Sequence, residues 1–318
     1  MLFQYKRVPG ILLSCLLFIF FIKPVAIAQS QLLFGTNRSA SIRDLKRHKI
    51  ITGILGTYAN APRLENGRVD VKRLLAELKD IHANTYMWGL LRDSNNLEDL
   101  KLFLSLASKI NLKVWVSILP PSEPPPSVPF GLNYKLWATE FAALSLSEPN
   151  LVAWSIDDFS HNQKFFTPEY LEKILTAARA INPKLAFVPC CYYKEMTPEF
   201  VTNYRHLLNG ILFPYRAESV GANLKDPTHV SDEIAKLREL FGPKFPIVLD
   251  IYASAHSRLG ATTPEYVKEV LAAALKTADG VLIYRHQDPV KSPAKYQIIK
   301  KGFGKGFRRN SKMKWFAI

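Results

Sequence analysis

The chain has 318 residues, of which 48% are hydrophobic and 22% charged, with a formal net charge of +15. This composition excludes a disordered, collagen-like or disulfide-stapled chain and is that of a globular protein of one large or two small domains. Three cysteines exclude a disulfide framework, so the core must hold the fold.

The first 28 residues stand apart. Lys6 and Arg7 precede an apolar run from Val8 to Ile22, and Ala26-Ile27-Ala28 offers small residues to a signal peptidase. This is the pattern of a secretory signal with a mature start near Gln29, and it implies a secreted or periplasmic protein. The run is shorter than the roughly 20 residues of a membrane span, so no stable span is expected after cleavage. An uncleaved anchor is the alternative. Cys15 leaves with the signal, which keeps Cys190 and Cys191; these alternate across a strand, one facing each side.

From residue 50 the pattern alternates. Ile50 to Tyr58 is an apolar strand, Val69 to Ala83 a helix, Thr85 to Leu91 a strand and Leu97 to Ile110 a helix. Lys113 to Leu119 is the third strand. Six prolines fall between Pro120 and Pro129, a stiff loop directly after it. Tyr134 to Ser147 is the third helix and Leu151 to Phe159 the fourth strand. Three Thr-Pro-Glu triplets, at Thr167, Thr197 and Thr263, each open a helix with Thr as N-cap and Pro in the first turn. The fifth to eighth strands are Leu185 to Tyr193, Gly210 to Arg216, Phe245 to Tyr252 and Gly280 to His286. A helix from about His229 to Leu240 separates the sixth and seventh, and a closing helix spans Pro293 to Lys301.

Eight strands alternating with eight helices predict an α/β fold, a (β/α)8 TIM barrel over residues 29–302, followed by a basic tail at 303–318. A doubly wound open sheet is the runner-up, but no Gly-rich phosphate loop follows any strand, and no cofactor is expected. Removing Lys6, Arg7 and Lys23 leaves a charge of +12, and the last 19 residues supply seven cations and no acid. The tail is a candidate contact for anionic lipid or an acidic polymer, or a solvated tail. No nucleic-acid motif accompanies it.

A barrel works at the C-terminal ends of its strands. That rule selects Asp157 and Asp158 as catalytic candidates. It selects Trp88, Tyr193, Tyr215, Arg216, Asp250, Tyr252, Tyr284 and His286 as substrate-binding candidates, since flat rings pack on sugar faces while acids bind hydroxyls. Arg92, Asp93, Glu123, His161, Tyr192, His256, Arg285 and Asp288 lie at the same ends. The pair is the sharpest signal: in Leu151-Val152-Ala153-Trp154-Ser155-Ile156-Asp157-Asp158-Phe159 two carboxylates close an apolar run. In a dry pocket one holds its proton while the other stays charged, the arrangement that acid/base chemistry on a glycosidic bond requires. Ala153, Ser155 and Asp157 share one face, and Trp154, Ile156 and Asp158 the other. The bulky face suits the helix layer, so Asp157 points inward. Asp158 reaches the site only if the strand has ended and begun to turn.

A signal peptide, a (β/α)8 pattern and acids ending the fourth strand resemble the secreted TIM-barrel glycoside hydrolases. The adjacent pair is similar to the paired aspartates of the family 84 β-N-acetylglucosaminidases and hyaluronidase-like enzymes. That resemblance implies attack by the substrate's own acetamido group, with Asp157 orienting it and Asp158 as general acid/base. It implies a carbohydrate substrate, an extracellular or cell-envelope polysaccharide. The spaced Asp-x-x-Asp-x-Asp-x-Glu of family 18 chitinases is absent. Two other readings stay open: a non-catalytic glycan-binding barrel, and a metal-dependent hydrolase using Asp157, Asp158, His161 and His286.

Overall fold

The computed structural model describes residues 50–91 and 96–315, with side chains to residue 306. The signal segment, Arg92, Asp93 and the outer tail side chains lie outside the described residues. Strands β1 (Ile54–Tyr58), β2 (Thr85–Leu90), β3 (Lys113–Ile118), β4 (Leu151–Ile156), β5 (Ala186–Phe187), β6 (Ile211–Pro214), β7 (Ile247–Tyr252) and β8 (Gly280–Tyr284) alternate with helices. The helices are α1 (Val71–Asp80), α2 (Asn96–Ser108), α3 (Tyr134–Ser147), α4 (Pro168–Ile181), α5 (Pro198–Tyr204), α6 (Val230–Phe241), α7 (Pro264–Thr277) and α8 (Pro293–Trp315).

All strand pairs are parallel, in the order β5-β4-β3-β2-β1-β8-β7-β6. A single parallel bridge, Cys190 to Leu212, joins the two ends of that order. There the Leu212 N–H donates to Pro189 O and the Cys191 N–H to Leu212 O, both at 2.9 Å. The fold is therefore the (β/α)8 barrel that the sequence pattern predicts.

Side-chain alternation divides the core in two. Ile54, Met87, Trp115, Ala153, Val188 and Leu282 fill the barrel's interior. Tyr86, Trp88, Trp154, Ile156, Phe187 and Phe213 belong to the larger core that includes the helices. Gly56 sits where β1 and β2 pass closely: a Cβ there would lie 2.3 Å from Thr85 O. The three Thr-Pro-Glu starts work as the sequence implies, with Thr167, Thr197 and Thr263 accepting from the N–H of Tyr170, Phe200 and Tyr266.

Two details bear on the site. The proline-rich loop is pinned over the strand ends: Ser127 Oγ donates to Leu90 O and accepts from the Leu119 N–H, while Tyr134 OH donates to Leu119 O. The closing helix α8 continues past Lys301, because Phe303 is buried and a Cβ on Gly302 would lie 2.5 Å from the side chain of Leu271. No helix among the described residues is long and apolar enough to cross a membrane.

Candidate active site

A cavity of about 300 Å³ opens at the C-terminal ends of the strands. Asp157 follows β4 with inward parity and is half-buried on the cavity wall. Strand β4 ends at Ile156, and the chain turns at Asp158, whose φ of 42° and ψ of 34° are left-handed. That turn breaks the alternation, so Asp158 lines the same cavity as Asp157. The Asp158 N–H donates to Asp157 Oδ1 at 3.1 Å.

The two carboxyls are pushed in opposite directions. Burial, then the neighbouring charges of Asp158 and Glu123, raise Asp157 to about 7. Burial also works against charge on Asp158. Interactions with His161 and Tyr192, and the charges of His161 and Arg216, outweigh it and hold Asp158 below the ordinary aspartate range. Tyr192 OH donates to Asp158 Oδ1 in a short hydrogen bond. His161 stacks on the Tyr192 ring with centroids 4.3 Å apart, and its Nε2 lies 3.0 Å from Glu195 Oε1. Asp158 and then Glu195 push the imidazole up to about 9, so His161 is a cation at neutral pH. From the other side the Arg216 guanidinium lies 3.9 Å over the Tyr192 ring, anchored by a buried ion pair with Glu218.

Asp250, on β7, is the third acid of the cavity. Tyr58 OH donates to its Oδ2 at 2.7 Å, and its Oδ1 is buried without a partner among the described residues. Burial raises it to about 8, against the Tyr58 hydrogen bond and with the Asp157 charge. Such a group carries a signed stability cost. The unfolded chain releases this proton near pH 4 and the folded chain only near pH 8, so stability falls as pH rises between them. Asp250→Asn is therefore expected to be more stable than wild type at pH 7, by up to about 4 kcal/mol, and no more stable at pH 4. Thermal melts at both pH values check this, and equal offsets would refute it.

Tyr58, Tyr252 and Tyr284 complete an aromatic wall, with ring centroids 5.1 Å apart for Tyr58 and Tyr284 and 5.3 Å for Tyr252 and Tyr284. Of the ten residues selected by sequence, the cavity gathers six: Asp157, Asp158, Arg216, Asp250, Tyr252 and Tyr284. It does not gather the other four. Trp88 has outward parity and packs 5.1 Å from Phe103. Tyr193 lies against Phe213, and Tyr215 OH reaches Asp226 O. His286 follows the end of β8 and is buried, with Nδ1 2.9 Å from Thr57 Oγ1 and Nε2 2.8 Å from Glu77 Oε2. Glu123, His161, Tyr192, His256 and Arg285 do line the cavity, as do Tyr58, Cys190 and Arg258. Tyr58 was within reach of the strand-end rule, since it closes the first strand with the same parity as Ile54.

Among the described residues, Asp157, Asp158 and Cys190 are the set able to approach a metal ion, with one ligand atom from each lying within 4.8 Å of the others. Burial, then the charges of Asp157 and Asp158, raise the Cys190 thiol well above its ordinary value, which disfavours a thiolate ligand. His286, tied to Thr57 and Glu77, does not join that set.

No family model and no curated protein matches the sequence. Solved structures match the fold. A β-D-glucuronidase from Dictyoglomus thermophilum gives a TM-score of 0.55 at 15% identity, over 80% of this chain and 50% of that one. A GH2 β-galacturonidase from Eisenbergiella tayi gives 0.54 at 14%, over 80% and 51%. The catalytic domain of a Thermobifida fusca endoglucanase gives 0.56 at 13%, over 79% and 91%. The chain spans about half the length of the first two. At these identities the likeness is one of fold: an α/β barrel of the kind found in glycoside hydrolases.

Proposed function

We propose that the chain is an exported glycoside hydrolase acting on a polysaccharide outside the cell or in its envelope. One observation carries the reading: two adjacent carboxyls, at the working end of a barrel, are pushed to opposite protonation states in one cavity. Asp157, raised to about 7, holds a proton to deliver to the leaving oxygen. Asp158, ionised and held by Tyr192 and His161, supports the positive charge that develops at the anomeric carbon. These roles reverse those implied by the family 84 resemblance. The tyrosine wall offers flat faces for a sugar ring, and the N-terminal segment is the reason for placing the protein outside the cytoplasm.

The test is a pH profile on chromogenic hexosaminides, glucosides, galactosides and uronides. Because the acid is lost as Asp157 ionises, kcat/KM is expected to fall about tenfold per unit above pH about 7. Turnover that stays level to pH about 9 would remove Asp157 from the acid role, and no turnover on any glycoside would favour a barrel that only binds glycans.

A further inference from the structure

A second cavity, of about 540 Å³, adjoins the first, and Arg285 lines both. Its wall is strongly cationic: Arg63, Arg73, Arg285, Lys291 and Lys295 face a single acid, Asp288. Arg73 is paired with Glu77 at 2.7 Å and with Asp288 at 2.8 Å, so it is not among the cations left for a ligand. Lys295 Nζ donates to Ala253 O at 2.9 Å and Thr262 Oγ1 at 3.2 Å, which fixes the ammonium without neutralising it. Arg285 and Lys291 are exposed and have no carboxylate partner among the described residues. Ser254 also lines the cavity, and its hydroxyl is buried without a hydrogen-bond partner among the described residues. The Arg285 and Lys291 charges, with the Lys295 ammonium beside them, make this part of the wall complementary to an anion. The cavity's volume exceeds what one free inorganic anion needs and falls in the range of small-molecule sites.

We infer that this second cavity is a subsite for an acidic sugar unit, a uronate or a sulfated residue, of a glycan whose neighbouring unit occupies the first cavity. The inference rests on reading the first cavity as a glycosidase site. Arg285, at the wall shared by both, is placed to hold the acid group beside the bond to be cleaved.

The experiment measures binding by calorimetry of four probes to the intact protein: tetragalacturonate, its methyl ester, a sulfated galactotetraose and the unsulfated galactotetraose. One acidic probe is expected to bind about tenfold more tightly than its neutral counterpart, the effect of one charge-assisted hydrogen bond. Which acidic probe shows the preference assigns carboxylate or sulfate. That ratio is expected to shrink as salt rises from about 50 mM to about 500 mM, and to fall to within about twofold in Arg285→Gln/Lys291→Gln. Both replaced side chains are exposed, and the salt and neutral-probe comparisons need no variant at all. Equal affinities, no binding of any probe, or a preference that survives the double substitution would each overturn the inference. Binding is read apart from turnover. An acid preference in a protein that cleaves nothing sinks the glycosidase reading alone, and cleavage of neutral glycans without an acid preference sinks the subsite alone.

Discussion

Asp157→Asn is expected to lower kcat/KM by about 10²- to 10⁴-fold on glycosides whose leaving group is another sugar, and much less on nitrophenyl glycosides. A sugar alkoxide must be protonated as it leaves, whereas a nitrophenolate departs without help. Loss of a general acid therefore grades with the leaving group. Asp158→Asn is expected to cost a similar factor on both kinds of substrate, because support of the anomeric charge does not depend on what departs. Raised Asp157 and lowered Asp158 predict this assignment in advance. Leaving-group dependence appearing in Asp158→Asn instead would restore the roles that the family 84 resemblance implies. Unchanged turnover in both variants would end the catalytic reading.

Much of this geometry was legible from period-two alternation. The run Ala153, Ser155, Asp157 put Asp157 inside the barrel once the bulky Trp154 and Ile156 were given to the helices. The same parity would have selected Tyr192 over Tyr193: Val188, Cys190 and Tyr192 face inward, while Phe187 and Cys191 lie in the outer core. Trp88 shares its parity with Tyr86 and Leu90, and Tyr215 with Phe213, so aromatic identity at a strand end was the weaker guide. Parity has a limit, however, because it holds only while the strand does. Asp158 enters the cavity through a left-handed residue, and His286 leaves it after β8 has ended. Neither turn has a local signature as plain as an Asn-Gly pair. The basic second cavity was hidden for a different reason. Arg63 is far in sequence from Arg285 and Lys291 and joins them only when β8 closes against β1.

The largest effect expected outside the acids is at Arg216. Its side chain is 9% exposed and its partner Glu218 is 3% exposed, so the ion pair is out of water. Arg216→Met leaves the Glu218 carboxylate buried with the Lys194 N–H as its remaining bond, and is expected to cost about 3–5 kcal/mol of stability. It also strips the cation from the Tyr192 ring and removes a charge that helps keep Asp158 ionised. The acidic limb of the pH profile should therefore move upward, a change that loss of packing alone does not produce. Adding Glu218→Gln removes the stranded charge and keeps an acceptor for the Lys194 N–H, so the double variant should regain most of the lost stability. It should not regain the rate or the original acidic limb, because Tyr192 still lacks its cation. Denaturant unfolding and kcat/KM against pH, measured on the three proteins, separate these effects. If rate and stability return together in the double variant, Arg216 serves the fold and not the position of Asp158.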